Sequence, residues 1–308
     1  MDNETRKKYI RQYGLNLLIK SRLFSKTHKN EKVHEIYRGY LENKYKNIIN
    51  KYKDAESVFA SDAEPSSKKI WVLWWEGVEE MPDVVKHCCH SMQQHAAGYE
   101  LVVLTHENYN DYVELPEHIV KHFEDGEIEI VHMADILRVF LLCQHGGIWL
   151  DATVFVSDDI PDDYVNRAFF SSNTGSRKSV FASKGRWSGY FMAVSHSHTV
   201  LFDFLQEMYT EYWKEHNIIL CYFLLDYMLL IAHDDIPVVG RSIDDIPVNN
   251  VNVKKLSAEL NNVYDQAKWD EIKDDTIIHK LSWKRELYAK QDDQDTFYGR
   301  LLANDDRR

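Results

Sequence analysis

Residues 133–156 read MADILRVFLLCQHGGIWLDATVFV. The spacing of Ile136, Val139, Phe140 and Cys143 predicts a helix from Asp135 to His145 with those side chains inward. Gly146 and Gly147 stop it, because glycine readily takes the left-handed backbone that a helix C-terminus needs. Ile148, Trp149 and Leu150 then form a short buried strand, and Asp151 stands at its carboxyl end. Ligands of open α/β sheets bind outside such strand ends. Asp135 and Arg138 are three residues apart and share one helix face. The glycine turn folds that face back toward Asp151, so one compact unit collects an acid, a guanidinium and a second acid.

Upstream, Ile70–Trp75 is an apolar run of strand length. Pro82 opens a helix carrying Val84, Val85, Cys88 and Met92, Gly98 closes it, and Tyr99–Leu104 is a second strand. A strand–helix–strand unit implies a parallel sheet with a right-handed crossover. Downstream, short strands are expected near 153–156, 168–171, 180–182 and 190–194, and helices near 198–214 and 218–233. Residues 4–53 read as two helices. Ile10, Tyr13, Leu17 and Leu18 mark the apolar face of the first, and Val33, Ile36, Tyr37, Tyr40 and Leu41 that of the second. The polar stretch 54–68 reads as a linker. The expected organisation is a basic helical extension over 1–62 and an α/β catalytic domain over 63–308.

The net charge of −12 is unevenly spread. Residues 1–53 hold 14 Lys and Arg against 5 Asp and Glu, leaving an acidic body. That balance argues against a nucleic-acid-binding core. It leaves the arm as a candidate contact for anionic headgroups. No apolar stretch is long enough to span a bilayer, and the charged N-terminus has no signal-peptide core. The expectation is a cytoplasmic protein, peripheral on the inner face of the membrane at most. Of the four cysteines only the adjacent Cys88 and Cys89 are near each other, and adjacent residues rarely bridge, so no disulfide framework is expected.

The order Asp135, Arg138, Gly146, Gly147, Trp149, Asp151 resembles the retaining glycosyltransferases of family 32, in particular their capsular polysaccharide synthesis branch, and more distantly the glycosylating toxins. KKIWVLWWEG at 68–77, ASKGRWSGYFMA at 182–193, YFLLDYMLL at 222–230 and TIIHKLSWK at 276–284 extend the resemblance over roughly residues 68–285. It implies a GT-A-type fold, a single Rossmann-like nucleotide-sugar-binding domain. It also implies transfer of galactose or glucose from a UDP-sugar, with retention, to a lipid-linked saccharide acceptor. Two other readings are a protein-glycosylating enzyme and a catalytically weak sugar-nucleotide-binding protein.

By the same resemblance, Asp135 and Arg138 would bond donor-sugar hydroxyls, and Asp151 would bind the ribose or a metal. Trp74 would stack on uracil. His279 would approach the metal and diphosphate, with Ser282 and Trp283 close by. Lys280 and Lys284 could neutralise diphosphate. Ala152, between the motif positions, leaves room for the sugar. Asp226 lies in an apolar helix, where an ionised carboxylate must be paired or functional. The family's acidic motif usually ends in a second Asp, and Thr153 stands there instead. Asp151, Thr153 and His279 are then the expected ligands of Mn²⁺ or Mg²⁺, with a neutral hydroxyl as a weak member; the alternative is that Lys and Arg replace much of the metal's work.

Overall fold

The computed structural model describes residues 2–26, 30–96, 98–176, 178 and 180–302. Four N-terminal helices come first: α1 (Asn3–Tyr13), α2 (Leu15–Lys26), α3 (Asn30–Lys44) and α4 (Lys46–Tyr52). Next come β1 (Lys69–Leu73), α5 (Asp83–Gln94), β2 (Glu100–Leu104), α6 (Glu117–Glu124), α7 (Ile130–His145), β3 (Gly147–Leu150) and β4 (Val154–Val156). They are followed by α8 (Asp162–Val165), β5 (Phe170–Ser171), β6 (Phe191–Val194), α9 (Val200–Glu215) and α10 (Leu224–Asp235). After three further helices comes β7 (Ile278–Lys280). The fold is mixed α/β. Its five-stranded sheet has the order β2-β1-β3-β6-β5.

β1 pairs in parallel with both β2 and β3, as the strand–helix–strand reading requires. β6 then pairs antiparallel with β3 and β5, so the sheet is mixed rather than all-parallel. β4 leaves this sheet and pairs antiparallel with β7, with Val154 opposite Lys280 and Phe155 opposite His279. That pairing carries the C-terminal segment to the carboxyl ends of β1 and β3. The strand expected at 180–182 is absent; those residues form a turn and bend between β5 and β6.

Helix α7 is apolar nearly all round. Ile136, Leu137 and the whole run Val139–Cys143 are buried, which suits a helix covered on every side. Each such aliphatic or aromatic side chain contributes about 1.5–3 kcal/mol by leaving water. The helix ends at Gly146 as expected, but with φ 62° and ψ −154°. That is an extended positive-φ conformation open essentially to glycine alone, not a left-handed helical cap. Trp71 Nε1 donates to the Gly146 carbonyl at 3.0 Å and locks the turn.

The N-terminal region folds as four helices rather than two. Gly14, at φ 84°, breaks the first predicted helix after Tyr13. Tyr13 and Leu18 are buried, and Ile10 and Leu17 pack against the same core. Tyr9 and Tyr13 hydroxyls donate to the Leu220 and Ile218 carbonyls, and α3 lies against α10 and α4 against α9. Arg38 pairs with Asp234 at 2.5 Å and Asp235 at 3.3 Å.

Gly147 supplies the test of this architecture. A Cβ there would meet the Lys69 carbonyl oxygen at 2.5 Å, and its φ is 94°. Gly147→Ala is expected to destabilise the protein by on the order of 3 kcal/mol, through clash and positive-φ strain together. Thermal or urea unfolding reads this, and a wild-type midpoint in the variant would contradict the described β1–β3 approach.

Candidate active site

A cleft of about 770 Å³ opens at the carboxyl ends of β1 and β3. This size suits a small organic ligand. Its floor comes from α7 and the segment after β3. Arg138 is nearly buried, with its side chain 6% exposed. One guanidinium nitrogen pairs with Asp135 Oδ1, and the other reaches Asp151 Oδ1 at 3.2 Å. The guanidinium lies over the Trp149 ring at 4.8 Å, and Trp149 Nε1 donates to Asp151 Oδ1 at 3.1 Å. The three expected residues therefore meet in one network. Gly189 faces the same guanidinium, and a Cβ there would come within 3.4 Å of it.

Lys280 closes the network from β7. Its Nζ donates to Asp151 Oδ2 at 2.8 Å and to Thr153 Oγ1 at 2.7 Å. Burial pushes the Asp151 carboxyl up, but Lys280 and Arg138 outweigh it and hold the group below the ordinary range. For Asp135 burial wins over Arg138, and its affinity for a proton is raised.

Asp226, on α10, also lines the cleft. Burial pushes its carboxyl up to about 6, against the Trp187 Nε1 bond at 3.0 Å; Asp135 raises it further and Arg138 lowers it. Trp74, Trp283 and Ala152 border the cleft as well. Trp74 and Trp75 lie just beyond the end of β1, which stops at Leu73 rather than running to Trp75. Both border the cleft, and the tryptophans buried in the sheet are Trp71 and Trp149. The Trp74 and Trp283 rings meet edge to face at 5.8 Å, and Trp74 Nε1 is buried with no hydrogen-bond partner.

Two expected positions lie elsewhere. His279 is fully buried on the opposite face of β7 from Lys280, because successive strand residues point to opposite sides. It sits against Phe155 and Trp269, bonds Ser157 Oγ at 3.0 Å, and is pushed down to about 3 by burial. It does not share the cleft with Asp151 and Thr153, so the expected three-ligand set does not assemble. Ser282 does not border the cleft; its hydroxyl accepts from the Lys284 backbone at 3.3 Å. Among the described residues, two other groups could gather a metal ion: Cys143, His198 and Asp203, and His95, Asp158 and Asp159. Neither borders the cleft.

Sequence reasoning assigned no role to Trp149 as the platform for Arg138, to Trp187 as the partner of Asp226, or to Tyr190, which faces Lys280 at 5.9 Å. The GRWSGY stretch that carries Trp187 and Tyr190 was the available signal.

The capsular polysaccharide synthesis protein family matches residues 19–301, from α2 through the last helix, and so spans every element of the cleft. The chain belongs to that family. Among solved structures it is similar to the PaToxG glycosyltransferase, at 12% identity and a TM-score of 0.43, over 78% of this chain and 93% of that one. No curated protein matches it.

The raised Asp226 carboxyl has a stability consequence. With a folded value of about 6 against the ordinary aspartate value of 3.8, the folded state takes up a proton before the unfolded chain does as pH falls. Asp226 therefore costs stability at pH 7, and that cost is relieved between pH 6 and 4. Between pH 7 and 5, wild type should gain about 1 kcal/mol relative to Asp226→Asn. Paired urea melts of both proteins measure it; a difference that does not change with pH would refute the assignment.

Proposed function

We propose that this protein is a GT-A-type glycosyltransferase that moves a hexose, galactose or glucose, from a UDP-sugar to a lipid-linked saccharide during capsule synthesis. The observation that carries this reading is the meeting of Asp135, Arg138, Asp151 and Lys280 in one cleft at the carboxyl ends of parallel strands. Trp74 and Trp283 offer aromatic walls for the base. Arg138, clamped on both sides, presents a fixed edge to sugar hydroxyls, with Asp135 and Asp226 as acceptors. Ala152 leaves space beside them.

In the proposed step the bond from C1 to the β-phosphate oxygen breaks, and its electron pair leaves with the diphosphate. The acceptor oxygen bonds to C1, and its proton passes to the departing phosphate oxygen. The carboxylates around Arg138 favour the positive charge that develops on the sugar, and Lys280 meets the leaving group. Retention rests on the resemblance of the acidic motif. Asp151→Asn or Arg138→Ala, checked for folding by circular dichroism, should lower sugar release from a UDP-hexose panel about ten- to hundredfold. Wild-type turnover in a folded Asp151→Asn protein would refute this site.

The acceptor reading draws on α2. No helix among the described residues is long and apolar enough to cross a membrane. Yet Leu15, Ile19 and Leu23 are about half exposed at i, i+4 and i+8, and Lys20 and Arg22 flank that stripe. Leu18 and Ser21 face inward on the same helix. An apolar stripe edged with cations suits the surface of an anionic bilayer. Arg22 and Phe223 border one groove, and Phe223 with Tyr222 also borders the cleft. The helix that would meet lipid is thus next to the cleft mouth. Co-sedimentation with phosphatidylserine-containing vesicles should fall with salt and fall again in Leu15→Ser/Ile19→Ser. Equal recovery with neutral vesicles, or no effect of the double change, would remove the membrane from this reading.

A further inference from the structure

We infer that the Lys280 ammonium takes the place of a divalent cation at the donor diphosphate, so that nucleotide-sugar binding needs no metal ion. The inference rests on the nucleotide-sugar reading above and deepens it.

The expected ligand set does not fit a metal. Of Asp151, Thr153 and His279, one is a carboxylate, one a neutral hydroxyl, and one faces away from the cleft. Hard divalent cations need several oxygen ligands, and a single carboxylate with a hydroxyl is a poor start. The space between Asp151 Oδ2 and Thr153 Oγ1 is taken by Nζ of Lys280, within hydrogen-bond distance of both. A divalent ion placed against the same two oxygens would face a like charge at contact distance.

The ammonium is also held for the task. β4 and β7 pair so that Val154 lies opposite Lys280, and the Leu281 N–H donates to the Thr153 carbonyl at 2.8 Å. The backbone thus fixes Lys280 beside the motif. An ammonium has three N–H donors. Asp151 and Thr153 take two, and one remains for a phosphate oxygen. Arg138 is less suited, since its terminal nitrogens are engaged by Asp135 and Asp151. A carboxylate in place of Thr153 would suit a metal, whereas a hydroxyl accepts from the ammonium without cancelling its charge. Thr153 and Lys280 therefore read as a matched pair.

The test is calorimetric titration of the full protein with UDP, in chelator and then with added Mn²⁺. Wild type is expected to bind UDP equally in both. Lys280→Met should weaken binding roughly tenfold or more, and Lys280→Arg should restore part of it. Thr153→Asp combined with Lys280→Ser should convert the site to Mn²⁺-dependent UDP binding, visible as bound Mn²⁺ by electron paramagnetic resonance. UDP binding by wild type that needs added Mn²⁺ would overturn the inference and leave the nucleotide-sugar reading standing. A folded Lys280→Met protein that binds UDP like wild type would also overturn it. No UDP binding in either buffer would remove both.

Discussion

Arg138 is the group around which the rest of the chain is arranged. A guanidinium that has left water must be paired on its polar edges, or the cost of burial falls on the fold. Asp135 lies one helical turn away and can always reach it. Asp151 is 13 residues further on and reaches it only if α7 stops at His145 and the chain reverses at once. The extended positive-φ conformation of Gly146 and the tight contact of Gly147 with Lys69 make that reversal possible. Trp149 then serves two partners, with its face to the guanidinium and its N–H to Asp151. Helix end, turn, strand and site are one constraint, which is why the motif is compact in sequence.

The N-terminal helices answer a different constraint. α9 and α10 carry buried faces such as Phe204, Leu205, Tyr212 and Leu229, and these need cover beyond what the sheet provides. α3 and α4 provide it, and the basic side chains of this region meet acids of the body at Arg38–Asp234 and Lys51–Glu207. The charge asymmetry seen along the chain is thus partly internal complementarity. Among the described large apolar side chains of this region, those left exposed are Leu15, Ile19 and Leu23 on α2.

Most of the sheet and the core of the site could be read from residue order, because both are local. β1, α5, β2, α7 and β3 follow from periodicity and glycine positions, and the Asp135–Arg138–Asp151 meeting follows from one turn. The errors at the site have a physical cause, which is long-range pairing. Whether Lys280 or His279 faces the cleft depends on the register of β7 against β4, about 125 residues away. One position of alternation decides between a cation and an imidazole in the cleft, and no local pattern in TIIHKLSWK fixes it. Asp226 was legible as costly to bury, but its Trp187 partner comes from another segment. The break at Gly14 was visible in sequence, yet periodicity on either side of it mimicked one longer helix.

The cleft balances more acids than cations. Asp135, Asp151, Asp226, Glu76 and Glu80 border it, against Arg138 and Lys280, both of which are already paired. The diphosphate of the proposed donor would add negative charge, and neutralising one of these acids would offset it. Asp151 is the group least able to give up its charge, since both cations hold it below the ordinary range. Asp226 is the most able, because its carboxyl already sits near 6 and no cation pairs with it among the described residues. A further anion nearby raises that affinity for a proton again. Under the proposed nucleotide-sugar reading, proton uptake at Asp226 is therefore the least costly way for the cleft to accept the donor diphosphate. A protonated Asp226 also gains a donor, so the group that yields its charge can still bond a sugar hydroxyl.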